Sequence, residues 1–129
     1  MTVKTEKPSQ LRVLVTAGAS GIGRVIAESF AQTGARLHIC DIADAALGEA
    51  KKTHPTWGVS RCDVSQSDQV AGLFEEVGNN FGGLDVLINN AGIAGPTGGV
   101  EEITADDWRR TVDINLNSQF YCVNRAVPL

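Results

Sequence analysis

Only one of the 129 residues is a tyrosine and only two are histidines, so histidine-based catalysis has few places to start. Cysteine is sparse as well. The three cysteines (Cys40, Cys62, Cys122) cannot all pair within one chain. They show no Cys-x-x-Cys spacing that would suggest a structural metal or a redox couple, and they read as buried thiols. His38 and His54 stand apart; His38, inside an apolar run, reads as a packed or edge side chain, and no metal site is expected. No window approaches the ~20 consecutive apolar residues of a membrane-spanning helix. Residues 1–10 are polar and lack the basic-then-apolar order of an export signal, so a cytoplasmic location is expected. Basic excess is missing too: eleven Lys plus Arg against fifteen Asp plus Glu leave a net charge of -4, which argues against nucleic acid or an anionic membrane as partner. What remains, 43% hydrophobic and 20% charged residues, fits a soluble globular domain.

Apolar and helical periods alternate along the chain. Leu11 to Val15 reads as a strand entering the turn Thr16-Ala17-Gly18-Ala19-Ser20-Gly21-Ile22-Gly23. Ile22, Val25, Ile26 and Phe30 then form a helical stripe ending near Thr33 and Gly34. Leu37 to Cys40 is a second strand ending at Asp41, followed by an Ala-rich helix over roughly 43–52. Val59 to Cys62 is a third strand, poor enough in apolar residues to suit a sheet edge. Ser65 and Asp68 have capping-box spacing ahead of a helix marked by Val70, Leu73, Phe74, Val77 and Phe81. Leu84 to Ile88 reads as a fourth strand buried on both faces. Thr104 and Asp107 repeat the capping spacing before a long last helix with Trp108, Val112, Leu116, Phe120 and Val123 on one side. The alternation predicts an α/β fold, a Rossmann-like doubly wound parallel sheet, incomplete, of about four strands with flanking helices. A polar leader over 1–10 precedes one domain over 11–129.

The glycine turn carries the chemistry. A diphosphate reaches backbone N–H groups at a helix N-terminus where Cβ atoms are absent, and Gly21 and Gly23 are placed for that. A glycine-rich turn also serves many α/β loops for geometry alone. Asp41 lies 18 positions after Gly23, near the ~20-residue offset at which a carboxylate accepts from an adenosine ribose and repels a 2′-phosphate. Taken alone, Asp41 also suits a cap for the next helix.

Through these and later motifs, in order and spacing, the sequence resembles the short-chain dehydrogenases/reductases. The family's TGxxxGxG turn corresponds to TAGASGIG, with Thr16, Gly21 and Gly23 matching; Ala17 stands where the first glycine belongs and Gly18 sits one position late. The family's Asp-Val pair that contacts adenine corresponds to Asp63 and Val64. Its NNAG segment, which supports the sheet and lines the cofactor ribose, is intact as Asn89, Asn90, Ala91 and Gly92, and its catalytic helix asparagine corresponds to Asn115. The resemblance implies cofactor contacts from Gly18, Ser20, Gly21, Ile22, Gly23, Asp41, Ile42, Asp63, Val64, Asn90, Ala91 and Gly92. Ser20 and Ile42 occupy the positions where users of the 2′-phosphorylated dinucleotide usually place a basic residue, which favours NAD over NADP. Arg24 and Arg36 do not replace that group. Separately, NNAG suits an ordinary turn and Asn115 an exposed helix face.

The family's remaining catalytic groups, a tyrosine, a lysine four residues later and a preceding serine, have no counterparts. Tyr121 followed by Arg125 imitates the pair, but it lies six residues after Asn115 on what reads as the same helix and is expected to pack. The apolar finish at Ala126, Val127, Pro128 and Leu129, and a fourth strand left at an edge, suggest a truncated chain. The expectation is the cofactor-binding half of an NAD-dependent oxidoreductase acting on a small carbonyl or alcohol substrate, inactive alone and homo-oligomeric at full length. A non-catalytic dinucleotide-binding or assembly module is the alternative. A methyltransferase on a related sheet is disfavoured by NNAG, and serine hydrolysis by the lack of a nucleophile elbow at Ser20.

Overall fold

The computed structural model describes residues 10–129. The polar leader falls outside them except for Gln10, whose side chain donates to the Gly34 carbonyl at 3.1 Å. Four strands, β1 (Arg12–Thr16), β2 (Arg36–Asp41), β3 (Gly58–Arg61) and β4 (Val86–Ile88), alternate with helices α1 (Gly21–Gln32), α2 (Asp44–Thr53) and α3 (Ser67–Phe81). A 3-10 turn (Val100–Glu102), α4 (Ala105–Val112), a π-helical turn (Asp113–Asn117) and α5 (Ser118–Ala126) complete the chain. All strand pairs are parallel and the order is β3-β2-β1-β4. The expected fold class is the observed one.

The strand sequences explain the two layers. Side chains alternate across a strand, so Val13 and Val15 of β1 join Ile39 and the α1 and α2 residues Ala27, Leu47 and Ala50 on one face. Leu14 joins Cys40, the α3 residues Val70, Leu73 and Val77, and Cys122 of α5 on the other. β1 is therefore apolar at every central position and fully buried. Removing a side chain such as Leu14 from water contributes about 2 kcal/mol. β3 is an edge, as its composition predicts, and it carries a buried polar relay. His38 Nε2 and Ser60 Oγ lie 2.7 Å apart, Ser60 donates to Glu76, and the Asn80 amide donates to His38 Nδ1 at 3.2 Å. Burial lowers the His38 pKa to about 4 despite the opposing pull of Glu76.

Several sequence expectations need correction. β4 is half-buried rather than buried on both faces, because its only strand partner among the described residues is β1. Arg12, paired with Asp85 at 2.9 Å, braces that edge. Ser65 does not cap α3: its N–H and hydroxyl both go to Asp63 Oδ1, and the helix starts at Ser67 after Gln66. Thr104 does cap α4, its hydroxyl accepting from the Asp107 N–H at 3.1 Å. In α1, Ile22 and Val25 are exposed, and the small residues Gly23 and Ala27 are the buried ones, which lets the helix approach the sheet closely. The last helix is broken by the π turn. Its apolar stripe faces water at Trp108, Leu116, Phe120 and Val123, while Ser118 and Cys122 face the core.

Candidate functional site

The carboxyl ends of the parallel strands open on one cleft at the point where the order reverses, β1 leading to β2 on one side and neighbouring β4 on the other. The cleft holds about 450 Å³, within the ordinary range for small-molecule sites. It gathers ten of the residues anticipated from sequence: Ser20, Ile22, Gly23, Asp41, Ile42, Asp63, Val64, Asn90, Ala91 and Gly92.

Two left-handed residues shape the glycine turn. Gly21 has φ of 56°, and a Cβ built there would meet nothing within 4 Å. Ala17, at the position of the missing first glycine, has φ of 50° and is the one non-glycine residue with positive φ among the described residues. Ala17 itself lines the cleft. Gly18 and Gly21 are not in the cleft wall. Gly18 lies beneath it, donating to the Cys40 carbonyl at 3.1 Å, where a Cβ would come within 2.8 Å of Ile39 Cγ2. A Cβ on Gly23 would fall on the Ala17 carbonyl and the Asn90 amide, so that glycine is required by the backbone packed against it.

α1 begins without a side-chain cap and without an acidic residue in its first turn. Its first backbone bond from N–H to carbonyl is Arg24 to Ser20 at 3.2 Å. The N–H groups of Gly21, Ile22 and Gly23 therefore have no partner among the described residues, which is the arrangement that takes an anion at a helix N-terminus. At the rim, the Asp41 carboxylate accepts from the N–H groups of Ile42 at 2.8 Å, Ala43 at 3.2 Å and Ala19 at 3.3 Å. Asp41 does not cap α2, whose N-cap is Ala43 and which has no side-chain cap; it orders the turn ahead of that helix, ties it to the glycine turn through Ala19, and also lines the cleft. Arg24 is engaged with Glu28 at 2.8 Å and Glu49 at 2.5 Å, pairs that raise its pKa, and it also donates to the Ala19 carbonyl of the glycine turn at 3.3 Å.

The far wall is latched to the turn. The Thr16 hydroxyl accepts from the N–H groups of Asn90 and Ala91, both at 3.0 Å. The Asn90 amide donates back to the carbonyls of Thr16 at 3.1 Å and Ala17 at 3.2 Å. Asn115 sits in the π turn, outside the cleft wall. Its side chain accepts from the Ile93 N–H at 2.7 Å and donates to the Ile93 carbonyl at 2.8 Å. It is therefore a loop anchor, not a solvated helix residue. Tyr121 packs against the core, as expected.

Sequence reasoning missed Ala17, Cys62, Ile93, Ile114 and Arg110 as cleft-lining residues. Ile93 simply continues NNAG, and Ile114 and Arg110 are four apart on the last helix, so helical spacing back from Asn115 was the available signal. All three cysteines are buried. Contact with the Cys40 thiol lowers the Cys62 pKa and, with burial, raises that of Cys40, while burial pushes Cys122 up to about 12.

Comparisons with known proteins bear on the fold and the family. A family profile described as Enoyl-(Acyl carrier protein) reductase matches residues 16–129. A 3beta-hydroxysteroid dehydrogenase of Mediterraneibacter gnavus is 39% identical over 121 residues, spanning 91% of this chain and 44% of the relative. A 2-dehydro-3-deoxy-L-rhamnonate dehydrogenase (NAD(+)) of Sphingomonas is 36% identical over 115 residues, 89% of this chain and 46% of the relative. The ligand-free aldohexose dehydrogenase of Thermoplasma acidophilum superposes with a TM-score of 0.81 at 36% identity, over 92% of this chain and 44% of that one. The chain spans less than half the length of these proteins.

Proposed function

The chain belongs to the short-chain dehydrogenase/reductase family, and from that premise we propose that it binds NAD in this cleft and serves an oxidoreductase that interconverts a small carbonyl compound and its alcohol. The observation that carries the reading is the uncapped start of α1, whose Gly21, Ile22 and Gly23 N–H groups have no partner among the described residues and which meets, through Ile22 and Gly23, a cleft that Asp41 also lines. The site fits the cofactor: the turn is bare at Gly21 and the first turn of α1 carries no acidic residue of its own. In this reading the amides of Gly21, Ile22 and Gly23 hold the diphosphate. Asp41 accepts from the adenosine ribose, and Asp63 and Val64 line the adenine end. Asn90, Ala91 and Gly92 flank the second ribose, with Gly18 supporting the turn from below. When bound, NAD supplies a nicotinamide that accepts or returns a hydride.

Ser20 and Ile42 beside Asp41 offer no cation to a 2′-phosphate, which supports NAD over NADP. Asn115 positions the Ile93 backbone and stands where the family has a catalytic asparagine. No tyrosine with a lysine four residues later is present in this chain, so binding without turnover is expected of it alone. The exposed stripe of Trp108, Leu116, Phe120 and Val123 favours association with further polypeptide, a second copy in the homo-oligomer reading. Titration of the chain with NADH and NADPH, followed by nicotinamide fluorescence, tests the proposal. Saturable NADH binding, at least about tenfold tighter than NADPH, is expected from the carboxylate at the rim. Absence of NADH binding overturns the site, and preference for NADPH overturns the role of Asp41. A non-catalytic dinucleotide-binding module is separated from the enzyme reading by adding the rest of a full-length relative in trans and assaying alcohol oxidation.

A further inference from the structure

Most arginines of the chain are engaged. Arg12 pairs with Asp85, Arg24 with Glu28 and Glu49, Arg61 with Asp44, and Arg109 with Asp106, while Arg36 donates to the Asn80 carbonyl and lies over the Phe81 ring. Among the described residues, only Arg110 and Arg125 have neither an ion pair nor a side-chain hydrogen bond, and Arg125 belongs to a separate hollow beside α3. Arg110 alone of these is in the cleft. Among the described residues it is the sole basic side chain lining it, solvent-exposed and beside a space that also contains the carboxylates of Asp41 and Asp63. It stands where that cleft meets an adjoining hollow of about 370 Å³ formed with Ile93, Gly95, Pro96 and Thr111.

Resting on the dinucleotide reading of the cleft, we infer that Arg110 is a phosphate-binding residue, closing on the dinucleotide's diphosphate from the wall opposite in origin to the glycine turn. The chemistry follows from the arrangement. Backbone amides supply neutral donors from α1, and the cleft's two carboxylates add negative charge, so an anionic ligand needs a formal positive charge to balance the site. The guanidinium supplies that charge beside its N–H donors to the phosphate oxygens. Among the described residues it forms no ion pair, although Asp107 lines the adjoining hollow with it. Its neighbour Arg109 is tied to Asp106 at 3.0 Å and does not line the cleft, which makes it the matched control.

The test compares the unsubstituted chain with Arg110→Ala, Arg110→Lys and Arg109→Ala, using NADH, ADP and adenosine as probes at low and high salt. A charge-assisted phosphate contact predicts that Arg110→Ala weakens NADH and ADP about tenfold and leaves adenosine unchanged. Salt then weakens NADH binding less in Arg110→Ala than in the unsubstituted chain. Arg110→Lys recovers most of the affinity, and Arg109→Ala behaves as the unsubstituted chain. Melting temperatures stay equal, because the Arg110 guanidinium has no partner to lose. Equal NADH affinity in Arg110→Ala overturns the inference while leaving the cleft reading intact. An equal loss of adenosine, or a lysine variant as weak as alanine, also overturns it. Failure of the unsubstituted chain to bind NADH overturns the cleft reading itself, and the inference with it.

Discussion

Replacing Ala17 by glycine should stabilise the protein, although it removes a methyl group from a half-buried position. Ala17 holds φ at 50°, where an L side chain crowds the following carbonyl at a cost of about 1–2 kcal/mol. Glycine lifts that cost but gains freedom in the unfolded chain, which offsets roughly 0.4–1 kcal/mol. The net expectation is a gain of about 1 kcal/mol, or about 4 °C in melting temperature for a chain of this size. The turn itself has no reason to move, since the Ala17 carbonyl still accepts from the Asn90 amide. Urea unfolding of both proteins, read by far-ultraviolet circular dichroism, measures the difference. A valine at the same site, whose branched Cβ tolerates the left-handed region still less, should shift stability the other way. If glycine left stability unchanged or lowered it, the strain assigned to this backbone would be refuted.

Two further outcomes follow from the same geometry. His38 is held neutral by burial, with its pKa lowered to about 4 from an ordinary 6.5. The unfolded chain therefore takes a proton before the native one does, and stability is full above pH 6.5 and falls as pH drops toward 4. The loss amounts to about 2 kcal/mol by pH 5 and about 3 kcal/mol in all; a flat denaturation profile between pH 7 and 5 would contradict it. Gly23→Ala puts a Cβ onto the Ala17 carbonyl and the Asn90 amide. Forcing the latch apart should cost about 1–3 kcal/mol and weaken NADH by at least tenfold, which calorimetric titration beside a thermal melt will report.

Two strands were legible because they carry their burial in composition, whereas the wholly apolar β4 is a half-buried edge. β1 has an apolar residue at every central position and β3 does not, and the two become centre and edge. The cleft was legible in the same way wherever one residue had one task, as at Ser20, Ile42 and Val64. Legibility failed where side chains had a choice of partner. Ser65 has the spacing of a cap, but Asp63 two residues earlier claims both its N–H and its hydroxyl. The stripe from Trp108 to Val123 has the period of a core face, yet the core takes the neighbouring face through Ser118 and Cys122. Period alone does not say which side is covered. Nor did it announce the π turn, a local change to i→i+5 bonding. Arg110 was overlooked because an arginine on a polar helix ordinarily faces solvent, as it does here, and nothing local in the sequence marks its place beside the 91–93 loop at the cleft mouth.

Asn115 completes both backbone groups of Ile93, doing for one residue what a neighbouring strand would do, while Thr16 holds the same loop two residues earlier. The floor of the cleft is therefore arranged before a ligand arrives and has little freedom left to surrender. Association at this surface draws on preorganisation rather than on induced ordering, and its heat-capacity signature should reflect the apolar area covered by the ligand alone.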